Sequence, residues 1–296
     1  MYADDGYFSQ TTYYNTEEAY EEHLKAAYPE QKQYRAVSSK LTADEEDEQF
    51  VMGAVKSVWV AEEYDEDGNV TESHLMSKEE MDDNGIPVSP NSASPNPSYD
   101  FNEGGGGIGG ELYGEDSTTF HRLTIDAIVL YNDFFESYYV RASAHWKAEF
   151  VLFQDSKTAE HKYLDYFGIT WGGNGALEAV SNSFTGIYHP DGNGVTQEVT
   201  YAKAYSDYTL GYVWEFNEKS SAFGKELNIA TITTQIERCK PIETPTSIRV
   251  TYIHTYSKLD GSLTVGANTG DGFEGAVSIS TEKGNWAAVL EFDRIT

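Results

Sequence analysis

Asp65, Asp67 and Asn69 stand at alternate positions of the acidic run Asp65-Glu66-Asp67-Gly68-Asn69. Several hard oxygens in one short loop are what calcium takes. Counted from Asp65, an EF-hand wants glycine sixth and glutamate twelfth, whereas Gly68 is fourth and Met76 is twelfth. The run therefore reads first as a hairpin turn, where Asp-Gly and Gly-Asn belong, and calcium is the one cofactor it suggests. A second constellation is aromatic. Trp171, Tyr188 and Trp214, with Asn174 and Asp191 beside turns, have the chemistry of a carbohydrate platform: flat apolar faces next to polar groups. The same rings at alternating strand positions also read as core.

Catalytic patterns are weaker. The seven histidines form no HExxH pair. His145 and His254 fall inside expected strands, where histidine is usually packed or exposed for structural reasons. No G-x-S-x-G elbow is present, and Cys239 is the single cysteine. It forms no disulfide within the chain and no cysteine-based zinc site. The 49 acidic residues make chance carboxylate pairs plentiful, so no pair is singled out. The Gly104–Gly110 run lacks the Lys-Ser/Thr of a phosphate-binding loop and reads as a loop. No catalytic residue is assigned.

The elements that would position these residues are mostly strands. Thr16 is placed to cap a helix whose first turns carry Glu17, Glu18, Glu21 and Glu22, with Tyr20, Leu24, Ala27 and Tyr28 at helical spacing before Pro29. The acidic stretch Thr42–Glu48 suggests a short second helix. Ala54–Tyr64 and Val70–Met76 read as a β-hairpin. Ser77 followed by Glu80 has the capping-box spacing. Four prolines between Pro87 and Pro97, then the glycine run, mark 85–117 as a linker or long loop. From Thr118 onward the alternation is β, with about ten strands separated by turns such as Gly172-Gly173-Asn174-Gly175 and Asp191-Gly192-Asn193-Gly194. Thr231–Ile236 and Ser262–Ala267 mix Ser, Thr and Gly with apolar residues. Membrane-inserting hairpins show that alternation, and so do ordinary half-buried strands.

Charge divides the chain. Residues 1–103 carry 24 acids and 6 bases, net −18, and the remaining 193 carry 25 and 14, net −11. The total of −29 repels phosphate backbones and anionic headgroups, which argues against nucleic-acid binding. An aromatic content of 14% argues against disorder of the whole chain. No run approaches 18 apolar residues, so no membrane-spanning helix is expected.

The segments Phe120–Ile125, Tyr139–Trp146, Phe167–Gly172 and Tyr252–Tyr256 give residues 118–296 a resemblance to uncharacterised secreted β-rich proteins of Gram-positive bacteria. The resemblance rests on strand-and-aromatic spacing. It implies an exported β-domain and brings no catalytic residues with it.

The expected fold is mainly β: an antiparallel β-sandwich body (118–296) and a small acidic α+β N-terminal region (1–84), joined by the loop 85–117. The expected function is a secreted or cell-surface, non-enzymatic binding protein for a glycan or a protein. The alternatives are a β-pore-forming toxin-like protein, a self-assembling structural protein and a sandwich-fold glycosidase. The alternative locations are the cytoplasm and a phage. Oligomeric state is not legible.

Overall fold

The computed structural model describes residues 6–27, 48–65, 70–86, 117–147, 164–172, 176–188, 197–199, 203–207, 209–217, 219–220, 225–239, 246–256, 263–266, 276–279 and 284–295. The expected linker, apart from its ends, and the strand expected at Glu149–Phe153 lie outside these residues, as do positions 42–47 of the expected second helix.

The chain is mainly β. Its elements are β1 (Ser9–Tyr14), α1 (Glu17–Ala27), β2 (Glu48–Tyr64), β3 (Val70–Leu75), α2 (Lys78–Asp83), β4 (Ser117–Asn132), β5 (Ser137–Lys147), β6 (Asp165–Trp171), β7 (Leu177–Tyr188) and β8 (Gln197–Val199). There follow β9 (Lys203–Asp207), β10 (Gly211–Phe216), β11 (Lys219–Ser220), β12 (Lys225–Arg238), β13 (Thr246–Thr255), β14 (Leu263–Gly266), β15 (Ala276–Ile279) and β16 (Asn285–Ile295).

Two antiparallel sheets make a sandwich-like body. The first has nine strands in the order β1-β2-β4-β5-β12-β7-β8, with β3 paired to β2 and β11 to β12. The second has five, β16-β13-β6-β10-β9, and β14-β15 forms a separate two-stranded sheet. The long β2 of the acidic region pairs with β4 from Glu48↔Asn132 to Tyr64↔Ser117, so residues on both sides of 85–117 build one sheet. Strand begins at Glu48, earlier than the expected Ala54, and a register shift between Phe50 and Met52 accommodates the extra length. The single strand expected over Val199–Tyr205 is two. β8 closes the first sheet and β9 edges the second.

Alternation places the core. Val58 and Val60 of β2, Leu123, Ile125, Ala127 and Val129 of β4, and Val140, Ala142 and Ala144 of β5 face the second sheet's Phe167, Ile169, Trp171, Val250, Tyr252, Leu290 and Phe292, all 0–1% exposed. Each large apolar side chain sealed this way contributes about 1.5–3 kcal/mol.

The first sheet is apolar on its outer face too, because two helices cover it. Thr16 Oγ1 caps α1 by accepting from Ala19 N–H at 3.4 Å. Tyr20 of that helix lies on Val55 and Ile128. A Cβ at Gly53 would stand 2.7 Å from the Tyr20 ring, so glycine there admits the ring. Ser77 and Glu80 form the expected capping box on α2. That helix lowers Met81 onto Trp59, Ala61 and Met76. Among the described residues no helix is long and apolar enough to cross a membrane.

Candidate functional site

Most strand positions that face the core are apolar, but several place a titratable group there, three of which meet at one point. Glu62 is in phase with Val58 and Val60 on β2, Asp165 with Phe167 and Ile169 on β6, and His254 with Val250 and Tyr252 on β13. Burial of a charge is costly unless it is paired: Asp165 and His254 meet on neighbouring strands of the second sheet, and Glu62 of the first sheet reaches His254 across the sandwich. His254 Nδ1 lies 3.1 Å from Asp165 Oδ2, and His254 Nε2 lies 3.3 Å from Glu62 Oε1. The imidazole thus has a carboxylate beside each ring nitrogen. His121 Nε2 stands 3.2 Å from Glu62 Oε2.

Neutral groups complete the network. Asp165 Oδ2 accepts from Tyr252 O–H at 2.5 Å, and Oδ1 accepts from Thr255 N–H at 3.0 Å. Trp146 Nε1–H donates to Tyr252 Oη at 2.8 Å. Trp286 Nε1–H donates to Ser73 Oγ at 2.8 Å, and Ser73 O–H donates to Glu62 Oε1 at 3.3 Å. The Trp146 and Trp286 rings wall His254 at centroid distances of 5.7 and 5.2 Å. Burial pushes the Glu62 carboxyl up, but bonds and charge from His121 and His254 outweigh it and hold the group well below the usual carboxylate range.

This cluster sits where β13 ends and β16 begins, with Thr255 paired to Asn285. The side chains of His254 and Asp165 are 2% exposed and that of Glu62 is 8%. The hydroxyls of Ser73 and Thr255 donate to the Glu62 carboxylate and the Leu164 carbonyl instead of to a histidine, so the order of a catalytic triad is not met. The arrangement clamps two sheets together.

A second polar group lies under α1. Asp126 Oδ1 is 2.5 Å from His145 Nε2, and Oδ2 accepts from Tyr20 O–H at 2.9 Å. Burial raises the Asp126 carboxyl, and the charges of His145 and Arg141 with these bonds bring it below its ordinary value.

The most exposed aromatic pair is at the turn joining β4 to β5. Phe134 is 77% and Phe135 52% exposed. Their rings meet edge to face at 4.9 Å and 87°. The turn is built to hold them. Asn132 Oδ1 accepts from both Phe134 and Phe135 N–H at 3.0 Å. Glu136 takes φ 48°, a left-handed conformation uncommon outside glycine. Arg238 N–H bonds the Glu136 carbonyl at 3.3 Å. Asp133 and Glu136 flank the two phenylalanines in the sequence.

The residues singled out by the sequence fall in different places. Trp171 ends β6 with 0% exposure, inside the core. Trp214 of β10 is half-buried against Phe184, ring centroids 5.9 Å apart. The indole nitrogens of both are buried with no hydrogen-bond partner among the described residues. Tyr188 closes β7, its backbone registered with Leu227 and Gln197; its side chain, Asn174 and Asp191 lie outside the described residues. Asp65 directly follows β2, whereas Asp67 and Asn69 lie outside. The strands on either side of that run pair Tyr64↔Val70, the hairpin the sequence suggested. Among the described residues no group of three or more His, Cys, Asp or Glu is disposed to hold a metal ion.

Sequence reasoning missed Glu62 and Asp165, and it treated His254 as an isolated strand histidine. The signal was present: each is a charged residue in the inward phase of an apolar strand.

The fold and its sealed cluster define a two-sheet, antiparallel, sandwich-like protein. The chain matches no protein family and no curated protein. Among solved structures it is weakly similar to a pore forming protein, 8% identical over 58% of this chain and 87% of that one, TM-score 0.29. It is similar at the same level to the collagen-binding domain of a Staphylococcus aureus adhesin, 7% identical over 51% and 86%, TM-score 0.24. A third likeness is to the membrane-inserted form of Clostridium perfringens NetB toxin, 7% identical over 58% and 91%, TM-score 0.26.

Proposed function

We propose that this chain is a non-enzymatic interaction protein, acting outside the cell or at its surface, that grips a protein partner with the β4–β5 turn. The observation that carries the reading is the Phe134–Phe135 pair. Two adjacent, exposed phenylalanines cost solubility and give the fold little. The Asn132 bonds and the left-handed Glu136 spend structure on presenting them. Rigid presentation lowers the ordering cost of binding, and aromatic anchors dominate interface energetics. The acids beside the rings favour a partner with an apolar pocket and a basic rim. The charged groups gathered between the sheets are sealed from substrate, which supports binding over catalysis. Burial of Trp171 favours a protein over a glycan.

The test is parallel screening of the immobilised protein against arrayed extracellular proteins and arrayed glycans, with the double variant F134S/F135S beside it. The expected result is a protein ligand whose affinity drops at least tenfold in the double variant while the melting temperature is unchanged. A ligand held equally by both forms refutes the role of the turn. Turnover of an arrayed substrate refutes the non-enzymatic reading.

A further inference from the structure

Among the described residues β1 borders the first sheet and pairs with β2 alone, from Ser9↔Val58 to Tyr14↔Gly53. β4 takes the opposite side of β2, so half of the backbone N–H and C=O groups of β1 face away from the sheet. Such a row is a template for pairing with another chain, and edges are normally guarded by charge, proline, a bulge or shortness. The other borders of the two main sheets are guarded in these ways. β3 carries Glu72 and His74, with a register shift between Glu63 and Tyr64 of its partner. β8 is three residues long, and the part of β7 beyond it carries Glu178 and a register shift opposite Gln235 and Ile236. β9 carries Asp207. On β16, Lys56 Nζ donates to the Val289 carbonyl at 2.8 Å and Tyr13 O–H donates to the Glu291 carbonyl at 2.8 Å.

β1 has none of these devices. Its six residues, Ser9-Gln10-Thr11-Thr12-Tyr13-Tyr14, are uncharged, and their register with β2 is continuous. Thr11, Thr12 and Tyr13 are exposed. The strand is also fixed in place. The Tyr13 ring meets Phe292 of the second sheet edge to face at 6.4 Å, and the Tyr14 ring lies 5.8 Å from Tyr20 and 5.4 Å from His23 of α1. An incoming strand therefore meets an edge that is already ordered, which lowers the cost of binding.

Charge around the edge selects what pairs there. α1 follows β1 directly, and its Glu17, Glu18 and Glu22 are exposed with no ion pair among the described residues, whereas Glu21 is matched by Lys25. On the other flank Asp293 is exposed, and burial with the charges of Asp293 and Glu291 raises the Tyr13 hydroxyl above its ordinary value. Carboxylates thus stand on both sides of an uncharged edge. We propose that β1 takes an extended, basic segment of another protein as an added strand: main-chain bonds to β1 hold it, and the carboxylates of α1 and Asp293 select its lysines or arginines. The net charge of −29 disfavours a second copy of this chain at the same edge. The inference does not rest on the Phe134–Phe135 turn, which joins β4 to β5.

The experiment titrates the full chain with a fluorescent synthetic peptide of about eight residues, long enough to span β1, that alternates lysine with valine and threonine. A peptide with glutamate in place of lysine runs beside it. The expected result is saturable binding of the lysine peptide, at least tenfold weaker for the glutamate peptide and at least tenfold weaker in the variant E17Q/E18Q/D293N. Strand addition is then read in two ways that leave the protein unaltered. Only alternate N–H groups of an added strand face β1, so N-methylation of the peptide at one set of alternate positions abolishes binding and at the other set spares it. For the same reason peptide binding slows amide exchange at alternate residues of Ser9–Tyr14. No binding, equal binding of the two peptides, methylation effects that do not alternate, or uniform or absent protection overturns the proposal. A doubled mass by light scattering with β1 protected in the absence of peptide overturns it in favour of a second copy. The variant F134S/F135S should bind the peptide as the wild type does, and loss there moves the site to the turn.

Discussion

His254 Nδ1 stands 3.1 Å from Asp165 Oδ2, with both side chains 2% exposed, at the end of the sandwich where β13 hands the chain to the β14-β15 excursion. Asp165 bonds three groups at once: the imidazole, the Tyr252 hydroxyl and the Thr255 amide. It is the fixed point of the clamp. Replacing it changes the pairing of a buried imidazole as well as removing hydrogen bonds.

Asp165→Asn keeps the shape and deletes the charge. Breaking a buried ion pair costs about 3–5 kcal/mol, and here Glu62 at the other ring nitrogen keeps the loss toward the lower end of that range. Urea denaturation followed by tryptophan fluorescence measures it, since Trp146 and Trp286 border the site. A loss below about 1 kcal/mol would mean that the pair contributes no more than an exposed one.

Acid sensitivity follows from Glu62 and Asp126. Both carboxyls sit lower in the folded chain than their ordinary values of 4.5 and 3.8. A carboxyl depressed by folding contributes stability that is fully present above its unfolded pKa and is lost as pH falls through the folded one. Stability from these groups is therefore level above about pH 5 and declines progressively below about pH 4.5. Thermal melts across that range should show the decline. In Glu62→Gln the melting temperature is lower at neutral pH and the acid limb is shallower. An acid limb as steep as the wild type's assigns the pH dependence to other carboxylates.

Gly53→Ala tests how α1 sits on the first sheet. The new methyl falls 2.7 Å from the Tyr20 ring unless the ring moves. Such overpacking costs about 1–3 kcal/mol. Tyr20 also donates to Asp126 at 2.9 Å, so a displaced ring loses that bond. In a Tyr20→Ala background the same glycine substitution should cost little. A double-mutant cycle by chemical denaturation reads the coupling, and additive effects would show that ring and glycine do not meet.

Much of the architecture was legible because it is local. The Thr16 cap with its acidic first turn, the Ser77–Glu80 capping box and the hairpin across Asp65–Asn69 are settled by neighbours within a few residues. The run of alternating strands fixed the mainly β class for the same reason: alternation is the strand's own period. The candidate site was less legible. Trp171 and Trp214 have the composition of a binding platform, but inward phase against a facing sheet put Trp171 in the core and half-buried Trp214 on Phe184.

The sequence by itself determined the charge and the class of element at most positions. Only the tertiary structure decided which charges meet. Glu62 and His254 are far apart in the chain, and each taken alone is an ordinary polar residue in a strand. Antiparallel pairing fixed every register, and stacking of the sheets brought the inward phases of β2, β6 and β13 to one point. There, low polarity forces buried charges to find one another. The same stacking left Phe134 and Phe135 in solvent, because the β4–β5 turn has no facing layer to receive them.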